Sequence, residues 1–223
     1  MRITGLLGLV ACALVAQNTQ PNFENDQVVV NEPHPNVKVD WTTHPSHEHK
    51  YNRVMVYMHL GGEYLHYPGG RTVDLKWHPG EVLWSPADGS HYSEGKPDTP
   101  PFKGPMIVDI GVKKAGDPSK KVSATMDLAK LDPKHVKVEL ENAQVRVLRL
   151  KLGPKESLPM HEDTLNHLVV FITDANVRDT AADGKAQTAT HKSAETLWGG
   201  ATKHKVENLS DQPFEAVVVE FKS

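Results

Sequence analysis

Two stretches of this chain decide its fold, because each matches the other: HEHKYNRVMVY at residues 47–57 and HEDTLNHLVVF at residues 161–171. Both open with a His-Glu pair and then run into an apolar segment. The match continues without a gap to residues 81–84 (EVLW) and 195–198 (ETLW). A unit of about 90 residues therefore occurs twice, which indicates an internal duplication and not a solenoid array.

Both copies predict many short strands. Residues 136–140 (VKVEL) alternate between apolar and polar side chains, and residues 217–221 (VVVEF) are rich in β-branched side chains. Turn-forming Gly, Pro and Asp recur about every 8–12 residues, which is typical of antiparallel sandwiches and barrels. We therefore expect an all-β fold with two tandem barrels, over residues 27–112 and 136–223.

A polar segment separates the two predicted barrels. Residues 113–135 carry Gly116, Pro118 and Pro133, which break regular structure. This segment is the predicted linker, with one short helix near residues 123–131.

Composition excludes several classes of protein. Charged residues make up 24% of the 223 residues and hydrophobic ones 38%, unlike a disordered chain or a polytopic membrane protein. The net charge of −3 argues against nucleic-acid binding, which should show a basic stripe. Histidine is abundant, with 13 residues, and is a plausible source of metal ligands or bases.

The first 16 residues are predicted to be a secretory signal peptide. Residues 3–16 are uncharged and mostly apolar, but this run is shorter than the roughly 20 residues that span a bilayer. Cleavage after Ala16 would leave an exported protein, periplasmic or extracellular, with no transmembrane segment.

A second interpretation concerns the only cysteine. Residues 9–12 (LVAC) resemble a bacterial lipobox, in which Cys12 would carry the lipid anchor. In either case no disulfide can form within one chain, so the exported fold must hold without one.

The metal-binding prediction rests on histidine spacing. His47 and His49 share one face of a strand, because side chains alternate with a period of two. In a small barrel, strands distant in sequence line one cavity, so a later histidine can join such a pair. The predicted ligands are His47, His49 and His91 in the first copy, and His161, Asp163, His167 and His204 in the second. Imidazoles suit zinc, iron, copper or nickel, and an added carboxylate favours iron or manganese.

These residues resemble the motifs of the cupin family, and the tandem copies resemble a bicupin. The two cupin motifs are G-x5-H-x-H-x(3–4)-E-x6-G and G-x5-P-x-G-x2-H-x3-N. In the first copy, His47 and His49 match the histidine pair of the first motif, while Arg53 occupies its Glu position. The second motif is matched by Gly80, Pro86 and His91, with Asp88 and Gly95 in place of its Gly and Asn.

The second copy departs from the motifs at other positions. His161, His204 and Asn208 match, whereas Asp163 replaces the second His and His167 stands where Glu is expected. Gly199 and Ala201 replace the Pro and Gly of the second motif. The departures still leave three imidazoles and one carboxylate, so the second copy is the one we expect to be active.

The resemblance implies small jelly-roll barrels that bind iron, manganese, zinc, nickel or copper. It leaves the function open, because the fold hosts dioxygenases, isomerases, decarboxylases, storage proteins and sugar-binding sensors. We expect a metal-dependent oxidoreductase or isomerase that acts on a small molecule. The alternatives are a non-catalytic metal- or sugar-binding envelope protein with decayed sites, and a purely structural duplication.

Two further side chains of the first copy are candidates for substrate binding. Arg53 would repel a dication unless it turns outward, or it could hold a substrate carboxylate through a bidentate contact. Tyr57 could line a pocket for a sugar or an aromatic ligand, although half-buried strand tyrosines are common. Exposed edge strands also make a homo-oligomer reasonable.

Overall fold

The computed structural model describes residues 22–31, 46–98, 100 and 104–223. The predicted signal peptide and Cys12 lie outside these residues. Within them the chain forms four antiparallel sheets, grouped into two barrels, and no helix there is long and apolar enough to cross a membrane. This confirms the predicted all-β fold of two tandem jelly-roll barrels.

The described residues of the first barrel form eight strands in two sheets. In chain order they are β1 (Phe23–Glu24), β2 (Val28–Asn31), β3 (Asn52–Tyr57), β4 (Gly61–His66), β5 (Thr72–Trp77), β6 (Val82–Ser85), β7 (Tyr92–Gly95) and β8 (Ile107–Val112). One sheet has the order β1-β2-β8-β3-β6 and the other β5-β4-β7. A 3-10 turn at Pro68–Gly70 joins β4 to β5.

The second barrel contains nine strands in two sheets. In chain order they are β9 (Val136–Glu141), β10 (Val145–Leu152), β11 (His161–Asp163), β12 (His167–Phe171), β13 (Ala175–Ala181), β14 (Ala186–His191), β15 (Thr196–Gly199), β16 (Thr202–Asn208) and β17 (Phe214–Phe221). One sheet has the order β15-β12-β17-β10-β9 and the other β11-β16-β13-β14. The strand order in this sheet differs from the order along the chain. As a result β11 and β16, which are distant in sequence, lie side by side.

The linker is anchored on the second barrel by a short helix, α1 (Leu128–Leu131). The side chain of Asp127 caps it by accepting a hydrogen bond from the backbone N–H of Ala129. Leu128 is buried in the interior of the second barrel. The helix lies within the predicted region near residues 123–131 and covers only its last part.

The largest apolar core lies between the barrels. On β3, Val54 and Val56 face the second barrel, while Met55 and Tyr57 face the interior of their own. The two five-stranded sheets thus pack against each other, and one buried cluster unites Val54 with Val219 of β17. Strands buried on both faces read as continuous apolar runs, which explains the pattern at residues 54–58.

The two barrel interiors differ in how they are filled. In the first barrel, Tyr57 stacks on Trp77 with ring centroids 4.3 Å apart, and Met55, Met106 and Ile107 pack around them. The second barrel encloses a cavity of about 390 Å³. Room for a ligand of drug-like size therefore exists in the second barrel.

Candidate metal centres

The first histidine cluster forms where residue 47 meets the start of β7. The backbones of His47 and His91 exchange two hydrogen bonds, of 2.9 and 3.0 Å. His49 follows two residues later, and its Nε2 lies 3.2 Å from Nε2 of His47. One ligand atom from each of the three rings lies within 4.8 Å of the others. The isolated bridge between His47 and His91, and the position of His49 two residues after His47, thus bring the predicted trio together.

Two rings of this cluster, those of His49 and His91, are held towards the neutral form. Burial, together with the charges of Arg53, His47 and His91, lowers the pKa of His49 to about 3. Burial also lowers the pKa of His91. Nδ1 of His91 donates to the carbonyl of Gly89, 3.2 Å away, which leaves Nε2 with a free lone pair. A neutral ring with a free lone pair is the form that binds a metal.

Arg53 points into the first barrel, close enough to the cluster to affect His49. Its guanidinium donates to Asp109 at 2.8 Å and to Ser85 at 3.0 Å. Among the described residues, Nε of Arg53 and Oδ1 of Asp109 have no hydrogen-bond partner. Burial raises the pKa values of Asp109 and of nearby Glu63, although Arg53 opposes both shifts. The predicted substrate-binding arginine therefore already has an acidic partner of its own.

Tyr57 lies deeper than Arg53, in the core of the first barrel. It is 2% exposed, and burial raises its pKa strongly. The tyrosine beside the histidines is instead Tyr67, whose ring centroid is 5.1 Å from that of His91. Its hydroxyl donates to Asp88, which also accepts from Arg71.

The second cluster forms across β11 and β16. His161 and His204 are direct partners in the strand register, and their ring centroids are 4.5 Å apart. Asp163, two residues after His161, accepts from Nε2 of His204 at 3.0 Å. Ligand atoms of these three residues lie within 4.8 Å of one another.

Hydrogen bonds outside the cluster orient both imidazoles. Nδ1 of His161 donates to the carbonyl of Pro159 at 2.9 Å, which leaves its Nε2 facing Asp163. Nδ1 of His204 donates to Asp179 of β13 at 2.7 Å. Carbonyl or carboxylate partners of this kind are typical of metal-binding histidines, because they fix the tautomer and the ring orientation.

Ionisation states follow from these contacts. Burial lowers the pKa of His161. Burial opposes the charged forms of Asp163 and His204, but their mutual hydrogen bond and the charges of the neighbouring groups together outweigh it. The pKa of Asp163 is consequently lowered, and that of His204, which Asp179 also supports, is raised. Without a metal, these shifts favour an imidazolium between two carboxylates; a bound cation would take the place of the proton on Nε2.

His167 lines the same cavity but lies outside the group of three. It is buried on β12, and its Nδ1 donates to the carbonyl of Leu165 at 3.3 Å. Its ring lies over Gly199, where an added Cβ would be 2.3 Å from Nε2. The structure thus groups three of the four predicted second-copy ligands and places the fourth on the cavity wall.

Comparison with known proteins identifies the fold. No family model matches the chain, and no curated protein matches it. Among solved structures, AerE from Microcystis aeruginosa is 14% identical, with a TM-score of 0.57 over 92% of this chain and 97% of that one. Oxalate decarboxylase from Bacillus subtilis is 12% identical, with a TM-score of 0.56 over 89% of this chain and 70% of that one. The chain has a bicupin fold. A Cupin 2 conserved barrel domain protein from Leptotrichia buccalis also matches, at 13% identity and a TM-score of 0.52 over 91% of this chain and 88% of that one.

These likenesses concern the fold. The oxalate decarboxylase contains Mn(II) centres, and the described residues of this protein include two groups with the chemistry to hold a transition metal. Each group departs from the cupin motifs at a different position, so the two barrels are not equivalent.

Several residues near the second cluster carry no motif signal. Asp179 reaches His204 from β13, and Arg146 is buried between Asp127 and Glu220 at 2.9 and 3.1 Å. Burial raises the pKa of Glu220 to about 7, although Arg146 opposes the shift. Arg146 and Glu220 could have been noticed in the sequence, because each is a charged residue within a mostly apolar strand. Asp179 has no such signal.

Proposed function

We propose that this bicupin binds a divalent transition metal through His161, Asp163 and His204, and that it acts there on a small molecule as a metal-dependent oxidoreductase or isomerase. The observation that carries the proposal is the convergence of these three groups on the wall of a cavity of about 390 Å³. Three protein ligands leave coordination positions open to a substrate.

The side chains of the second barrel have distinct roles in this proposal. Iron, manganese, zinc, nickel or copper bound there would polarise a substrate oxygen as a Lewis acid. Asp179 keeps the proton of His204 on Nδ1, which directs Nε2 towards Asp163. Pro159 does the same for His161. His167, with Nδ1 held by Leu165, offers Nε2 as a proton acceptor on the cavity wall.

A second candidate function, non-catalytic metal binding, applies to the first barrel. His47, His49 and His91 form a trio of imidazoles without a carboxylate among them, which suits zinc, copper or nickel. The stack of Tyr57 on Trp77 fills the interior below, and Arg53 is occupied by Asp109. We propose that this barrel holds a metal without turning over a substrate.

Metal content tests both assignments. Elemental analysis of the full chain after reconstitution should find one ion per cluster in the wild type. His161→Ala should lose the second-barrel ion alone, and His47→Ala the first-barrel ion alone. His78→Ala is the control, because its side chain is 81% exposed and outside both clusters. If all four proteins bind no metal, the proposal fails.

We also propose export, which rests on residues 1–16 alone. Amino-terminal sequencing of the protein recovered from cell envelope and medium should begin at residue 17. A lipid attached to residue 12 would support the lipobox interpretation instead, and an intact first residue would contradict export.

A further inference from the structure

The second-barrel cavity has walls of two kinds. Its apolar wall belongs to one buried cluster and comprises Leu128, Leu148, Leu150, Leu158, Phe171, Val177, Phe214 and Ala216. Four of its polar side chains form one group, since His161, Asp163, His204 and Asp179 contact one another. The other polar lining residues are His167 and Thr202. A ligand that fills the cavity therefore meets hydrocarbon over most of its surface and carboxylates only at this group.

The charges of the side chains that line the cavity disfavour an anionic ligand. Among the described residues that line the cavity, none is Arg or Lys. The buried guanidinium nearby, that of Arg146, is already engaged by Asp127 and Glu220. Two of the lining residues, Asp163 and Asp179, are carboxylates. A carboxylate ligand would lose its hydration here, and the imidazole of His204 is already hydrogen-bonded to two carboxylates, those of Asp163 and Asp179.

One residue that lines the cavity, Leu197, is both apolar and exposed to solvent, and we take it as the entrance. Leu197 of β15 is 47% exposed and lines the cavity. Beside it, Gly199, Gly200 and Ala201 carry little or no side chain along the same wall. An apolar molecule would meet hydrocarbon already at the entrance.

From these features we infer that the cavity binds a predominantly apolar, uncharged small molecule with one oxygen atom, such as an alkylphenol or a ketone, and not a small dicarboxylate. The oxygen faces the His161–Asp163–His204 cluster, and the hydrocarbon part contacts the leucine-rich wall. The position of the oxygen rests on the proposed metal function, whereas the preference for an apolar, uncharged molecule rests on the walls alone.

Calorimetry with two probes of similar size tests the preference. 4-Propylphenol is neutral, and 3-phenylpropanoate carries a carboxylate at neutral pH. With metal-free full-length protein, 4-propylphenol should bind roughly tenfold or more tightly than 3-phenylpropanoate, with a negative heat-capacity change. Oxalate should show no binding. Equal or tighter binding of either anion would overturn the inference.

Cavity-filling variants locate the binding. Ala216→Phe places a ring in the cavity and should weaken 4-propylphenol binding roughly tenfold or more. Val206→Phe serves the same purpose if circular dichroism shows that the first variant does not fold. Ala189→Phe, at an exposed position on β14, should leave binding unchanged. Unchanged binding in both folded cavity variants would overturn the inference.

The same titrations separate this inference from the proposed function. With metal-loaded protein, 4-propylphenol should bind more tightly than with metal-free protein. A protein that loads metal at His161 but does not bind the phenol would contradict the inference and leave the metal site standing. Phenol binding in a protein that loads no metal would support the cavity preference and contradict the metal function.

Discussion

Asp179 Oδ2 lies 2.7 Å from Nδ1 of His204, on the side of the ring opposite Asp163. The imidazole is therefore held at both nitrogens, by one carboxylate inside the candidate ligand set and one outside it. This arrangement makes Asp179 a positioning residue for the second cluster, because it sets which nitrogen of His204 has a lone pair for a metal.

Asp179→Asn tests that role. The amide keeps the shape of the side chain but removes its charge, so metal affinity of the second barrel should fall by about 10–100-fold. Competition with a chelator of known affinity measures the change. Asp183→Asn, in an exposed turn, is the control. Equal affinities in the wild type and both variants would show that Asp179 does not position His204.

Gly199→Ala should disturb His167 specifically. The new Cβ would lie 2.3 Å from Nε2 of His167, so the ring must leave its position, at an expected cost of about 1–3 kcal/mol in unfolding free energy. Gly200→Ala is a matched control, because its nearest contact would be 3.7 Å away. Urea denaturation of both variants measures the difference, and equal losses would show that His167 does not lie over position 199.

Arg53→Leu tests whether Arg53 stabilises the fold through its ion pair with Asp109 or is instead a clamp that holds a substrate carboxylate. The substitution leaves the Asp109 carboxylate without its cation, which should cost about 3 kcal/mol of unfolding free energy. Adding Asp109→Leu should restore most of that loss, since no isolated charge then remains. If Arg53→Leu leaves stability unchanged, Arg53 does not stabilise the fold and the clamp interpretation gains support.

The Glu220→Gln variant and the wild type should differ in stability in a pH-dependent way when both are metal-free. The pKa of Glu220 is raised from 4.5 in the unfolded chain to about 7 in the folded one, so the folded state disfavours the charged form. The resulting decrease in the free energy of unfolding of the wild type is absent below pH 4.5, grows as the pH rises to 7, and is constant above it. The variant should therefore gain stability relative to the wild type between pH 5 and 7.5. Parallel stability curves over this range would contradict the prediction.

Much of the first cluster could be predicted from local sequence. The spacing of two residues predicts that His47 and His49 lie close together, although the strand expected there is reduced to an isolated bridge between His47 and His91. The turn signal before His91 marks the start of β7. The duplication then locates His161 and His204 by alignment alone. Such inferences succeed because they depend on neighbours in sequence or on a repeat.

The remaining features depend on pairings between distant strands. Asp179 reaches His204 because β13 pairs with β16, which no local pattern in β13 specifies. The filled first barrel follows from how Trp77 packs on Tyr57 across two strands. The cavity of the second barrel likewise depends on the volumes of side chains from many strands, which a strand pattern does not determine.

Anomalous diffraction from crystals of the metal-loaded full chain tests the central claim most directly. Data collected above and below the absorption edge of the loaded metal should show a peak at bonding distance, about 2.0–2.2 Å, from a nitrogen of His161, a nitrogen of His204 and an oxygen of Asp163. A map with no peak at these three side chains, from protein that elemental analysis shows to contain metal, would contradict the account.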